Sequence, residues 1–543
     1  MINFKKTIYL SLVAGGLIGG GVVLQACEDD FLDRKPLSDL TTANFYTSAD
    51  DAIAALNAAY DPLQWDVHSR MDWIFGDVVG GDTDKGSTDD QDYSEILQFQ
   101  NFTQVASAPL LMDFWSQSYD GVYRTNLVLE RIPPIEMDET LKARILGEAK
   151  FLRAQYYFDL VKAYGRVPII TKVLNPDEVF VPRPTSIAEN WDQMEQDLRE
   201  AIPVLPATYS GGDVGRATKG AAQALLAKIL LFQSTPDGCS SSPYATSDKY
   251  EEVVTLTNEI INSGNYSLLK NFPDLFTLAG ENSSEIVFAV QGVGGTGGWN
   301  NDNDGLALNQ WVSPRTAEVS GWGFSTPIGP LTPEGYGGNP KIKVNNIVEA
   351  FEPCDPRLDY SILMIGDTIN GQRYDYARKD KDSPWSEFKP WSRTRYSIQK
   401  FLIPEDQLTG AANSPLNITL IRYADVLLWN AEALNELGRS AEALVSLNKV
   451  RTRARESKTA ATCPLPATTT SQAELRDLIM LERRRELAFE GHRFFDLVRT
   501  CRASAVLTAM GRPFVEGKHN LFPIPQAEID RNPALQGDQN PGF

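Results

Sequence analysis

Two stretches of the chain combine tryptophan with short polar side chains in a way that suits recognition. The first, Trp65–Asp92, carries Trp65, His68, Arg70, Asp72, Trp73 and Asp77, then Gly81-Asp-Thr-Asp-Lys-Gly86. The second, Trp299–Trp322, carries Asn300, Asn303, Asn309, Gln310, Trp311, Arg315 and Trp322. A pyranose ring offers apolar C–H faces and a rim of hydroxyls. A surface that holds one therefore needs exposed aromatic rings to stack against it, with amides, carboxylates or guanidinium groups beside them.

Other chemistries are poorly supplied. Three histidines in 543 residues leave little imidazole for metal or acid–base sites. Gly292-Val-Gly294-Gly-Thr-Gly297 has dinucleotide-binding spacing and follows the strand-like run Glu285–Val290. The turn-forming stretch 298–305 nevertheless stands where a helix facing a pyrophosphate would have to begin. No G-x-x-x-x-G-K-S/T, H-E-x-x-H or G-x-S-x-G occurs. A glycoside hydrolase needs only two carboxylates at a set separation, and acids are abundant, but no recognisable glycosidase motif accompanies them. Asp82-x-Asp84-x-Gly86 and Asp302-x-Asp304-Gly305 could offer oxygens to calcium. Neither continues into a twelve-residue loop closed by glutamate, and a solvated acidic loop is the simpler reading.

The elements that must position these stretches are mostly helices. Apolar residues recur at three- and four-residue spacing in Ser48–Tyr60, Pro109–Arg131, Thr140–Tyr164, Ser186–Ile202, Ala217–Gln233 and Ser247–Ser263. Trp115, Trp191 and Trp429 fall on helices and are expected in the core. From about 265 to 415 no helical period is sustained, and short β-like runs sit among Gly, Asn, Pro and Trp; Trp385, Trp391 and Tyr396 form a third aromatic group there. Beyond Leu416 the period returns. Leu420, Ala424, Leu427, Leu428, Ala431 and Leu434 make one stripe, Gly438 breaks it, and Ala441, Leu444, Leu447 and Val450 make a second. Residues 431–444 are similar to a tetratricopeptide repeat. One helix pair cannot bury its own apolar face, so the N-terminal helices are expected to pack with it. Arg483, Arg484 and Arg485 alternate with Glu482, Glu486 and Glu490 at helical spacing, which reads as an internally paired or solvated face rather than a phosphate site. His492 reads as structural.

Composition narrows the class further. A net charge of -20 excludes a generic nucleic-acid binder, because no basic surplus exists to neutralise phosphates. At the N-terminus, Lys5 and Lys6 precede an uncharged apolar run, Ile8–Leu24, which reads as a secretion signal. It ends in Leu24-Gln25-Ala26-Cys27, which resembles the bacterial lipoprotein box, with Cys27 as the acylated residue. Glu28, Asp29 and Asp30 resemble the export signal that sends Bacteroidetes lipoproteins to the cell surface. Removing residues 1–26 leaves 49 basic and 71 acidic residues, a net charge of -22. Cys239, Cys354, Cys463 and Cys501 are far apart and could pair in three ways; a chain of this length does not require disulfides, and free structural thiols are expected.

Several strings together carry a family resemblance. Phe151-Leu-Arg-Ala-Gln-Tyr-Tyr-Phe-Asp-Leu-Val-Lys-Ala-Tyr-Gly165-Arg-Val-Pro168 is followed by the runs 216–228, 421–428 and 481–493. The chain closes with Phe522-Pro-Ile-Pro-Gln526, Asn532-Pro533 and Asn540-Pro-Gly-Phe543. In this order they resemble the SusD/RagB family of outer-membrane nutrient-binding lipoproteins, over nearly the whole chain. The resemblance implies an all-α-dominated, tetratricopeptide-like helical-repeat scaffold with a loop-rich, partly β irregular region on one face. It also implies a surface lid that delivers oligosaccharides, or in a RagB-like mode peptides, to a SusC-like TonB-dependent channel in the outer membrane. The third aromatic group, at Trp385, Trp391 and Tyr396, could face ligand or channel. Family ligand contacts come from the early loop and the irregular middle. The expected binding residues are therefore Trp73, Trp299, Trp311 and Trp322, with Asp72, Asn309 and Arg315 as polar partners, and no catalytic residue. The expected organisation is a signal peptide (1–26), a lipidated tether (27–40), an N-terminal helical region (41–265), an irregular ligand- or channel-facing region (266–415) and a C-terminal helical region (416–543).

Overall fold

A computed structural model describes residues 45–87, 90–293, 306–314, 321–330, 345–369, 372–374, 394–403, 407 and 414–543. Cys27, Trp299, Asp302, Asp304, Arg315, Trp385, Trp391 and most of the Gly292–Gly297 string lie outside the described residues. The helices are α1 (Ala49–Tyr60), α2 (Asp66–Met71), α3 (Glu95–Gln100), α4 (Pro109–Arg131), α5 (Glu139–Tyr164), α6 (Ile187–Ala201), α7 (Lys219–Gln233), α8 (Tyr250–Asn262), α9 (Leu308–Val312), α10 (Ile347–Ala350), α11 (Pro356–Ser361), α12 (Tyr423–Glu436), α13 (Ser440–Glu456), α14 (Gln472–Glu486), α15 (Arg493–Arg499), α16 (Ala503–Ala509) and α17 (Gln526–Arg531). Among the described residues, eight short strands accompany them: β1 (Thr83–Lys85), β2 (Ile286–Val290), β3 (Ser325–Pro327), β4 (Ile362–Leu363), β5 (Thr368–Ile369), β6 (Gln372–Arg373), β7 (Ser397–Ile398) and β8 (Ile418–Arg422). They form only antiparallel pairs, β1–β3, β2–β8, β4–β7 and β5–β6.

Several of the long helices start where polar side chains satisfy their free N–H groups. Ser48 and Asp51 form a reciprocal capping box on α1, and Ser186 and Glu189 form another on α6. Asp138 caps α5 and Thr218 caps α7. From α4 onward each helix packs on the next, through α5, α6, α7 and α8, and α8 packs on α12, which in turn packs on α13 and α14. The result is one helical-repeat array. Its hub is α5: from Phe151 to Tyr164 every residue except Lys162 is buried. Tyrosine hydroxyls tie this hub to its neighbours, Tyr156 donating to the Ala59 carbonyl (2.8 Å), Tyr157 to that of Ile170 (3.0 Å) and Tyr164 to that of Leu111 (2.7 Å). Burying these polar tips without partners would be costly. Trp115, Trp191 and Trp429 are all buried.

Buried ion pairs join the segment after α10 to the helical array, beside apolar side chains such as Phe351, Ile362 and Ile398 that enter the common core. Glu486, fully buried on α14, receives Arg357 (2.8 Å), Arg422 (2.6 Å) and Arg453. Glu482 pairs with Arg357 (2.7 Å) and Arg451 (2.6 Å), Glu285 with Arg453 (2.7 Å), and Glu490 with Lys400 (2.8 Å) and Arg422 (2.8 Å). The arginine run is likewise paired internally: Arg483 with Asp425 and Asp496, Arg484 with Asp82, and Arg485 with Glu352.

The cysteines depart from expectation. Cys239 is bonded to Cys501 and Cys354 to Cys463, with Cα–Cα separations of 5.3 and 5.5 Å. The partners are 262 and 109 residues apart, so the fold, not local spacing, selects the pairing. Crosslinks closing loops this long restrict the unfolded chain strongly.

Candidate functional site

The two aromatic stretches meet. Strand β1 pairs antiparallel with β3 in the register Thr83↔Pro327 and Lys85↔Ser325. The ladder continues through Gly86 N–H to the Phe324 carbonyl (2.8 Å) and Ser87 N–H to that of Gly323 (2.9 Å). Helix α9 packs on α2, and its chain is stitched to residues 322–324: Trp322 N–H donates to the Gln310 carbonyl (2.7 Å) and Phe324 N–H to that of Trp311 (2.9 Å).

These backbone ties assemble a nest of rings around Trp311. Its centroid lies 4.5 Å from Trp322 in an edge-to-face arrangement, 5.5 Å from both Tyr93 and Phe324, and 6.2 Å from Trp73. The indole Nε1–H donates to Asp66 Oδ1 (2.7 Å), fixing the plane of the ring. Trp311, Trp322 and Tyr93 are half-buried, so this nest retains aromatic surface at its outer side. On the next turn of chain, Trp65 donates to Asp61 (3.1 Å), and the Arg124 guanidinium lies 5.0 Å from its ring centroid.

Several expected contacts are instead internal. Trp73 is 1% exposed. The stretch 72–78 is not a loop but a π-helical turn that continues α2, with Trp73 through Val78 all buried, and Trp73 forms the layer beneath Trp311. Asn309 is buried because helical geometry places it about 200° around α9 from the outward-facing Trp311. Asp72 is partly buried, with 26% of its side chain exposed, and lines a small cavity of about 40 Å³ with His68, Gln155, Asp159, Lys162, Lys228 and His492. That volume has room for a few waters and is far too small for a sugar ring. The calcium candidates Asp82 and Asp84 are buried and spent on Arg484 (2.6 Å) and Arg512 (2.9 Å), so their oxygens are held by guanidinium groups. Tyr93, Phe324 and the anchor Asp66 join the nest without belonging to the residues expected from sequence. Tyr93 lies one residue past Asp92, where the first stretch ends, and Phe324 two residues past the last tryptophan of the second.

Asp72 makes a pH prediction. Burial pushes its carboxyl up to about 6, against partial relief from Lys162 at 3.8 Å, with Asp159 adding to the rise. The folded protein thus keeps this proton to about pH 6, whereas the unfolded chain releases it near 3.8. Raising pH through that window favours unfolding. Asp72→Asn is expected to be near neutral at pH 4 and to stabilise the fold by about 1–3 kcal/mol at pH 8. Urea unfolding at both pH values measures this, and a pH-independent offset would contradict it.

Comparison with known proteins is consistent over the chain. The family described as "SusD family" matches residues 284–543, and one described as "Starch-binding associating with outer membrane" matches residues 30–231. SusD-like protein P38 of Formosa agariphila is 27% identical over 532 residues, 93% of either chain. A SusD-like protein of Bacteroides ovatus is 27% identical over 494 residues, 88% of this chain and 80% of its own. Among solved structures, a laminarin binding SusD-like protein superposes with a TM-score of 0.72 at 30% identity, over 92% of this chain and 100% of its own. Surface glycan-binding protein A from Bacteroides fluxus shares the fold, with a TM-score of 0.72 at 24% identity over 92% and 100%. Among the described residues, no helix is long and apolar enough to cross a membrane.

Proposed function

Since the chain belongs to the SusD family, we propose that it captures oligosaccharides at the outer-membrane surface through the Trp311–Trp322 nest and hands them to a SusC-like TonB-dependent channel. What supports the binding reading is one observation: two stretches some 245 residues apart converge on two partly exposed indoles packed edge to face, with the plane of Trp311 fixed by Asp66. Ring planes fixed before the ligand arrives lose little freedom on binding. The anchor would be acylated Cys27, with the binding face outward and the chain acting as a carrier without covalent chemistry of its own. Arg315 and Trp299, flanking the nest in sequence, would contribute polar and stacking contacts. A β-1,3-glucan is the first ligand to try, because the relative at 30% identity is a laminarin binder.

The soluble form, residues 28–543, tested against a panel of polysaccharides and peptide mixtures, decides the class. Selective retention of one glycan is expected. Trp322→Ala and Trp311→Ala should each weaken it about tenfold or more, corresponding to about 1.4 kcal/mol of lost stacking. Retention of peptides alone would overturn the glycan reading in favour of a RagB-like one, and unchanged affinity in both variants would remove the nest from the site.

A further inference from the structure

We infer that the glycan site does not end at the indole nest but continues over the ridge Asp61–Asp66 into a polar trough that holds the far end of a longer chain; this rests on the glycan reading above. The ridge joins the two places directly. Asp66 at one end anchors Trp311, Trp65 carries a stacked guanidinium, and Asp61 at the other end lines the trough. Six residues, four of them in a 3₁₀ turn, span about 10 Å, the length of a few sugar rings.

The trough has the size and chemistry of a carbohydrate site. One hollow of about 390 Å³ is lined by Asn57, Tyr60, Gln64, Arg216 and Gln291 among others. A second, of about 180 Å³, shares its floor at Val214–Arg216 and Phe288–Ala289 and adds Asn265, Asn282, Ser283 and Ser284. Together they fall within the range of small-molecule sites, about 300–1,000 Å³. Amides and hydroxyls on the rim, which pair with sugar hydroxyls in both donor and acceptor senses, stand beside apolar side chains such as Leu63, Val214 and Val290 that suit the C–H faces of a ring.

These polar groups are already held in place. Gln64 donates to the Gln291 carbonyl (2.9 Å), Gln291 Oε1 accepts from Asn282 (2.8 Å) and Asn417 (3.0 Å), and Arg216 donates to Asn57 (2.8 Å). A rim ordered in advance costs little to engage. Two glycines line the trough in different ways: Gly215 lets the Gln291 side chain lie against the backbone, and Gly212 leaves space unfilled. A Cβ on Gly215 would lie 2.5 Å from the Gln291 side chain, while Gly212 faces open space with nothing within 4 Å of a built Cβ.

Gly212 therefore offers a plug that strains no backbone, since its φ is not positive. Isothermal titration with laminari-oligosaccharides of two to eight units, on the unaltered protein, Gly212→Trp and Gly212→Ala, tests the inference. The affinity of the unaltered protein is expected to rise with length beyond the shortest oligosaccharides. Gly212→Trp should flatten that rise, costing about tenfold for the longest ligand and nothing for the shortest, with Gly212→Ala close to the unaltered protein. Asn282→Gly, which keeps the left-handed backbone of Asn282 (φ 51°) and removes the amide, should reduce the rise in the same sense. Binding that plateaus at short length or ignores Gly212→Trp overturns this inference and leaves the indole nest standing. Failure of the unaltered protein to bind any of the series overturns the glucan reading and this inference with it.

Discussion

Glu486→Ala should destabilise the fold by about 3–5 kcal/mol, the cost of leaving buried guanidinium groups without their partner. Its carboxylate is fully buried and is the common acceptor for Arg357, Arg422 and Arg453, which come from three different parts of the chain. Burial alone would raise its pKa, but Arg453, Arg422 and Arg357 together pull it well below the usual carboxylate range. That stabilisation is present above about pH 4.5 and is lost as pH falls through the depressed value. The variant should therefore show a marked loss at pH 7 in guanidinium unfolding and a smaller one on acidification. Glu486→Gln, of the same shape, separates loss of charge from loss of volume and should recover only part of the difference. A change below about 1 kcal/mol at pH 7 would mean that the network rearranges around the gap.

A second large effect is expected from a single methyl group. Gly86→Ala places a Cβ 1.8 Å from the Gly323 carbonyl oxygen, and the obstacle is backbone that cannot rotate away. The β1–β3 ladder must open at that point, and it is the ladder that carries residues 322–324 to the first aromatic stretch. Glycan affinity should fall by more than either tryptophan variant alone, because Trp311 and Trp322 lose their mutual geometry together. Near-ultraviolet circular dichroism should report a changed indole environment while the far-ultraviolet helical signal persists. Retained affinity with an altered near-ultraviolet spectrum would show that the two stretches bind independently.

The helical array was legible because its evidence is local and repeated. Pro109–Arg131 reads from the sequence as it stands in the structure, and Ser48, Ser186 and Thr218 mark helix starts in the residue types that cap them. The convergence of the two aromatic stretches was foreshadowed only by composition. Individual side chains were not legible, for a geometric reason. The π-helical turn after α2 carries Trp73 inward, and a two-residue offset on α9 sets Asn309 opposite Trp311. Nor could spacing choose among three cysteine pairings or reveal that Asp82, in an apparent acidic loop, meets Arg484 some 400 residues later.

The packing of α8 directly on α12 makes them neighbours in the array although about 160 residues separate them in the chain. The described residues between them form an excursion from an otherwise continuous stack. The entropic cost of closing such an excursion grows only logarithmically with its length, so doubling it would cost about 0.6 kcal/mol. The stretch that carries Trp311 and Trp322 can therefore change in length at little entropic cost, as long as Glu285, Arg357 and Lys400 keep their buried partners in the stack. A new ligand can thus be met by reshaping one excursion, provided it still seats on residues 65–93, which supply Asp66, Trp73 and Tyr93.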